Sequence, residues 1–278
     1  MSNNINQQNF SSQDLLGVSS GGRNSGANNF TGQQSGISKT NAFGINYSDL
    51  WGKKTEVTGS YFFNNSKTDN NQNSNTEYYQ TSGINQLNNE STLSSSNNYN
   101  HRVNFRIEYK FDDKNSLTIT PSFSYQKNNS SNDVTGVRAY SNGDPISSTI
   151  NNSERKTTGY NFNNNVLYRH AFAKKGRTIS FNLGTAINEK QGDVYRLNNN
   201  LYNKIPNDFV DSSNQFTNVV NNGYQLSANI AYTEPIGKKG QLQFNYSPSY
   251  SKSQSDQEVN QYDYTSSKYI LFDTALSN

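Results

Sequence analysis

Cysteine is absent from the 278 residues, which excludes a disulfide framework and any thiolate metal site. Long apolar runs are missing as well. No window approaches 18 uninterrupted apolar residues, so the sequence contains no helix built to cross a bilayer. A strand needs no such run, because about 9 to 11 tilted residues span the hydrocarbon with every second one facing lipid. Charge is scarce, at 16% Asp, Glu, Lys and Arg with a formal net charge of +3, and it forms no basic stripe of the kind that holds nucleic acid. Hydrophobic residues reach only 30%, with a mean hydropathy of -0.97, which is lean for a soluble core of this size. Against disorder stand 19 Tyr and 15 Phe, since disordered chains are poor in aromatics and usually carry high net charge. The opening "MSNNINQQNFSSQDLLGVSS" has neither the basic nor the apolar region of a secretion signal.

What the sequence does contain is alternation. In "GKKGQLQFNYSPSYSK" (Gly237 to Lys252), Leu242, Phe244, Tyr246, Pro248 and Tyr250 fall on one side, with Gln243, Asn245, Ser247 and Ser249 on the other. The same period-2 pattern recurs upstream and predicts eight strands in four pairs, around Phe43 to Tyr47, Val57 to Phe63, Val103 to Phe111, Leu117 to Tyr125, Tyr160 to Tyr168, Ile179 to Ile187, Tyr224 to Tyr232 and Leu242 to Tyr250. Links within a pair are short and turn-forming ("SDLWGKK", "DDKN", "AKKG", "EPIGKKG"), and they recur about every 60 residues. Links between pairs are long and rich in Asn, Ser, Gln and Thr, as in "NNSKTDNNQNSNTEYYQTSGINQLNNESTLSSSNN", and read as loops. Pro121 and Pro248 each remove a ladder donor within a strand, so a bulge is expected beside each. Asn164 falls on the apolar side of its strand and Leu167 on the polar side.

Short turns at one end, long loops at the other and alternation between them predict an all-β fold, an antiparallel transmembrane β-barrel with short periplasmic turns and long extracellular loops. Residues 1–38 form a polar Gly/Asn/Ser-rich lead-in and 39–278 the barrel strands. On this pattern Phe105, Ile107, Tyr109, Leu117, Ile119, Phe123, Phe181, Leu183, Leu226, Ile230, Phe244 and Tyr246 face lipid. Arg102, Arg106, Glu108, Lys110, Gln243 and Asn245 face the lumen. The soluble alternative, a β-sandwich or adhesin, usually hides more Val, Ile and Leu and has shorter loops.

The segments "NNINQQNFSSQDLLG" (Asn3 to Gly17), "NAFGINYSDLWGKKTEVTGSYFFNNS" (Asn41 to Ser66) and "GKKGQLQFNYSPSY" (Gly237 to Tyr250) resemble the outer-membrane β-barrel part of Bacteroidota-type TonB-dependent receptors. The resemblance implies a location in the outer membrane, a plug domain inside a barrel of about 22 strands, and import of a substrate driven by an inner-membrane energy-transducing partner. The chain departs from that pattern at both ends. No plug-like or TonB-box-like segment is found, and "YILFDTALSN" falls where a long extracellular loop is expected. The sequence thus reads as an incomplete wall of about eight strands, non-catalytic and without a cofactor. A surface β-protein such as an adhesin or structural barrel is the alternative.

Other candidate sites are weak. His101 and His170 are the only histidines and have no fixed Ser, Asp or Cys partner in the pattern. "DNNQNSNTE" from Asp69 puts oxygens at the first, third and fifth positions of a calcium-type loop but lacks the sixth-position glycine, and Gln80 stands where a bidentate Glu belongs. "GGRNSG" lacks the lysine of a phosphate loop. Tyr78, Tyr79, Tyr195, Tyr202, Tyr262 and Tyr264 lie in the expected loops. They would contact a ligand there or extend the strands. Lys238 and Lys239 mark the periplasmic rim on this reading.

Overall fold

A strand exposes an unpaired row of N–H and C=O groups on each side, and this chain answers that demand by pairing each strand with the next. The computed structural model describes residues 36–277 apart from 82, 204–206 and 238. Among the described residues it is all-β with no helix, a single antiparallel sheet. The strands are β1 (Ile37–Trp51), β2 (Thr55–Tyr78), β3 (Gln86–Asp112), β4 (Asn115–Tyr140), β5 (Pro145–Ala171), β6 (Thr178–Tyr202), β7 (Phe209–Ile236), β8 (Gly240–Tyr246), β9 (Ser249–Asp263) and β10 (Lys268–Phe272). They lie side by side in chain order, with β8 and β9 both on β7, and the sheet is not closed into a barrel among these residues. The segments quoted as Asn3 to Gly17 and "GGRNSG", together with Lys238, lie outside the described residues.

Three expectations need correction. The long Asn/Ser-rich links are not loops: β2 runs on to Tyr78 and β3 begins at Gln86, so strands of 24 to 28 residues occupy most of the stretch between the turns. Asn and Ser are poor strand formers in isolation, but here their side chains bond across the ladder. Asn65 Nδ2 donates to Asn97 Oδ1 at 2.7 Å, Gln126 Nε2 to Asn98 Oδ1 at 2.8 Å, and Asn152 Nδ2 to Asp133 Oδ1 at 2.7 Å. Such cross-strand pairs are the unit of sheet stabilisation.

Neither proline sits beside a bulge. Pro248 interrupts its strand with no change of register, since Ile230↔Tyr246 and Ser227↔Ser249 continue one pairing. β8 and β9 are therefore one stave. Ala228 N donates to the Pro248 carbonyl at 3.0 Å, and only the return bond, for which proline has no N–H, is lost. Pro121 pairs with Asn164 on β5, while on the β3 side the ladder skips Phe105 and Arg106 and resumes in the same register. The last correction is the strand count: β10, which overlaps the start of "YILFDTALSN", adds a stave to the eight expected.

The turns at the "Lys-Lys" end use left-handed glycines where the chain must reverse tightly: Gly52 at φ 75°, Gly176 at φ 85° and Gly237 at φ 61°. The "DDKN" turn instead uses Asp112, whose Oδ1 accepts from Lys114 N at 2.8 Å.

Candidate functional site

Register fixes which residues share a face, because neighbouring Cα partners point the same way. One face carries Phe43, Ile45 and Tyr47 of β1, opposite Phe63, Tyr61 and Gly59 of β2. It continues through the rows Thr55–Tyr109–Leu117–Tyr168–Phe181–Ile230–Tyr246 and Val57–Ile107–Ile119–Val166–Leu183–Ala228. All twelve residues expected to face lipid lie on this aromatic face. Most of its large side chains are open to solvent: Phe123, Phe181 and Leu183 are 41%, 41% and 39% exposed. Arg102, Arg106, Glu108, Lys110, Gln243 and Asn245 all lie on the opposite, polar face.

The aromatic face holds a belt next to the short turns. It spans Phe43–Tyr47, Val57–Phe63, His101–Phe111, Leu117–Tyr125, Tyr160–His170, Ile179–Ile187, Tyr224–Tyr232 and Leu242–Tyr250, and on that face it contains no Asp, Glu, Lys or Arg. Outside it charges return on several strands, with Lys127, Glu189 and Lys252 next on that face toward the long ends, Lys39, Lys67 and Lys156 one same-face residue further, and Asp49 and Glu234 toward the turns, whereas β3 and β7 carry none on this face out to their long ends. At the same height the polar face carries Glu56, Arg102, Arg106, Glu108, Lys110 and Arg169. Leu117 to Tyr125 covers about 26 Å along a strand at ~3.3 Å per residue. Aromatic pairs mark the belt's edges. Tyr109 meets Phe111 edge-on at 4.7 Å and His170 meets Phe172 at 4.5 Å near the turns, while Phe63 meets His101 at 4.8 Å at the other edge. The two histidines are thus belt-edge residues: His101 Nδ1 bonds Tyr61 Oη at 2.9 Å and His170 Nδ1 bonds Asn115 Oδ1 at 2.7 Å.

The polar face is the concave one. Thr118, Thr157, Val194, Thr217, Thr233 and Val259 are buried on it, with Val57 and Asn260 the exceptions on the aromatic side. A single sheet with no second layer buries side chains only where curvature crowds them. The recesses open on the same side. One of about 430 Å³ is lined by Arg106, Thr118, Leu167, Arg169, Asn182 and neighbours, and another of about 300 Å³ lies among Arg155, Thr157, Lys190, Gly192, Val194 and Arg196. Leu167, off-pattern in sequence, lines the first beside Thr118, whose Oγ1 is buried without a partner. Asn164 Oδ1 on the aromatic face is likewise unsatisfied.

Arg106 bonds Glu108 at 2.8 Å, a pairing within one strand, and Gln243 Nε2 reaches Asn245 Oδ1 at 3.5 Å. At the turn end, Glu234 accepts from Arg177 Nε at 2.6 Å and Nη2 at 2.9 Å, from Lys174 Nζ at 2.6 Å and from Tyr232 Oη at 2.6 Å. The Arg177 guanidinium, then Lys174 and Tyr232, hold its carboxyl far below the ordinary carboxylate range. Sequence reasoning missed this cluster because its members come from two different turns.

The calcium reading fails on geometry. Asp69, Asn71 and Asn73 sit on an extended strand, which spaces same-face residues about 6.6 Å apart instead of curling them round an ion. Asp69 is occupied by Ser95 Oγ at 2.7 Å and Lys67 at 3.4 Å, and no group of metal-ligating side chains gathers among the described residues. Of the expected loop tyrosines, Tyr195 and Tyr262 are strand residues that pack with Phe216 and Tyr269, and Tyr262 meets Tyr264 at 5.0 Å. Tyr78 closes β2 under Arg138, and Tyr202 closes β6 against Phe209.

No protein-family model, curated protein or solved structure matches the chain.

Proposed function

We propose that this sheet is part of the wall of an outer-membrane β-barrel, its aromatic belt in lipid and its polar face toward a lumen, serving uptake in the manner of the TonB-dependent receptors it resembles. The supporting observation is the charge-free aromatic belt shared by the staves from β1 to β8–β9, set back to back with a polar face that carries charges at the same height. Lipid tolerates no unpaired strand edge, so the outer edges of β1 and of the last staves call for further strands to complete the wall. Within this proposal a plug and an inner-membrane energy-transducing partner supply the gating and the work. The barrel itself performs no catalysis.

The test uses Leu183, mid-belt on β6, and Asn182, its neighbour on the polar face. Arg at the mid-bilayer position of a lipid face costs about 2–4 kcal/mol. Leu183→Arg should sharply reduce insertion into liposomes, read as the fraction with heat-modifiable gel mobility, while Asn182→Arg inserts nearly as wild type. Equal insertion of the two variants, or a wild-type chain that folds as a monomer without detergent or lipid, sinks the membrane reading.

A further inference from the structure

The 300 Å³ recess on the polar face lies beyond the belt, toward the long ends of β5, β6, β7 and β9. Its floor is made of small uncharged residues: Thr157, Gly192, Val194, Thr217 and Val259 occupy adjoining rows. Three cations border it. Lys190 is opposite Gly159, Arg155 is opposite Val194, and Arg196 is opposite Ser153, so Lys190 and Arg196 bracket the floor along the strand direction and Arg155 stands between them, beside Val194. Of the carboxylates on these strands, the pleat sends Glu154, Glu189, Asp193, Asp256 and Glu258 to the other face, while Asp211 and Asp263, on the polar face, lie outside the lining toward the long ends. Among the described residues none of the three cations forms an ion pair. Burial and the Arg196 guanidinium hold Arg155 below the ordinary arginine range, and burial and Arg155 do the same to Lys190. Like charges crowded into a partly desolvated hollow repel one another, and an anion placed between them relieves that repulsion.

We infer that this recess is a binding site for a small anion carrying two or more carboxylate or phosphate groups, with Arg155, Arg196 and Lys190 as its charge partners and Val194 and Val259 in the floor beneath it. Arginine forks match carboxylate and phosphate oxygens in pairs, the ammonium adds a point charge, and the volume lies at the lower end for small-molecule sites. The inference rests on the polar face alone and is independent of whether the belt meets lipid.

Isothermal titration of the detergent-folded full chain with citrate and with pyrophosphate, at matched ionic strength and against neutral maltotriose, tests it. Each variant is first checked for β-sheet circular dichroism. Saturable binding of at least one anion and none of the sugar is expected. Arg155→Gln and Arg196→Gln should each weaken it about tenfold, the loss of one charged hydrogen bond. Gly192→Leu keeps all three charges but fills the hollow; a Cβ there meets nothing closer than Thr157 Oγ1 at 3.6 Å, so the fold should tolerate it while binding disappears. Arg138→Gln, on the same face but outside the recess, should leave affinity unchanged. No anion binding by the folded wild type overturns the inference, and so does binding that Arg138→Gln weakens as much as Arg155→Gln, or that survives Gly192→Leu.

Discussion

Glu234 shows how much one carboxylate can hold at a turn end. It ties the β5–β6 turn, through Lys174 and Arg177, to the last residues of β7. Its depressed pKa sets the sign of a pH effect. The stabilisation is complete above the ordinary carboxylate range and is lost as pH falls through that range toward the folded-state value. Urea midpoints of the detergent-folded chain should therefore favour wild type over Glu234→Gln at pH 7, with the gap narrowing at pH 3. A gap that stays constant with pH would show that the charge is irrelevant and only the side chain's shape matters. Another residue-scale feature is Gly59, over which the Phe105 ring lies so closely that a Cβ would come within 2.7 Å of it. An aromatic covering a glycine on the neighbouring strand restores packing that the glycine lacks. Phe105 was legible as an apolar-face residue, but nothing in linear sequence pairs it with Gly59.

Among the elements, the β8–β9 break isolates what a proline costs a sheet. The register is intact on both sides of Pro248 and the carbonyl still accepts from Ala228, so Pro248→Ala needs only its own N–H to complete the pair. It should stabilise the fold by about 0.5–1.5 kcal/mol, one net hydrogen bond, seen as a higher urea midpoint at unchanged slope; a lower midpoint would mean the interruption is structurally required. The elements also show where sequence reading stopped. Belt segments were legible because Phe, Tyr, Ile and Leu alternate against Asn and Ser. Beyond the belt both faces become polar, so alternation vanishes from Lys67 to Asn98 although the strands do not. Asn and Ser there carry turn propensity, which the paired neighbours override. One trace of it was present, the turn spacing of about 60 residues, most of which two long strands fill.

For the molecule as a whole, most of the face assignment followed from parity, whereas the cationic recess did not. Arg155, Lys190 and Arg196 are 35 and 6 residues apart in the chain (190 minus 155; 196 minus 190) and converge only through the β5–β6 register. Parity also governs what can be removed. Each pair of staves returns the chain to the same end with the same face outward, so β3 and β6 present matching odd-numbered residues. Deleting 114–174 joins Asp113 to Lys175 and keeps the Gly176 reversal. That shortened chain should still acquire β-sheet circular dichroism and insert into liposomes, whereas deleting 115–140, a single stave, should abolish insertion. Failure of both, or success of both, would contradict the parity rule. The uniform turn spacing thus makes the hairpin a unit of growth: duplication or loss of one repeat changes the number of strands while preserving the height and phase of the belt, a route by which such a sheet widens or narrows in a single genetic step.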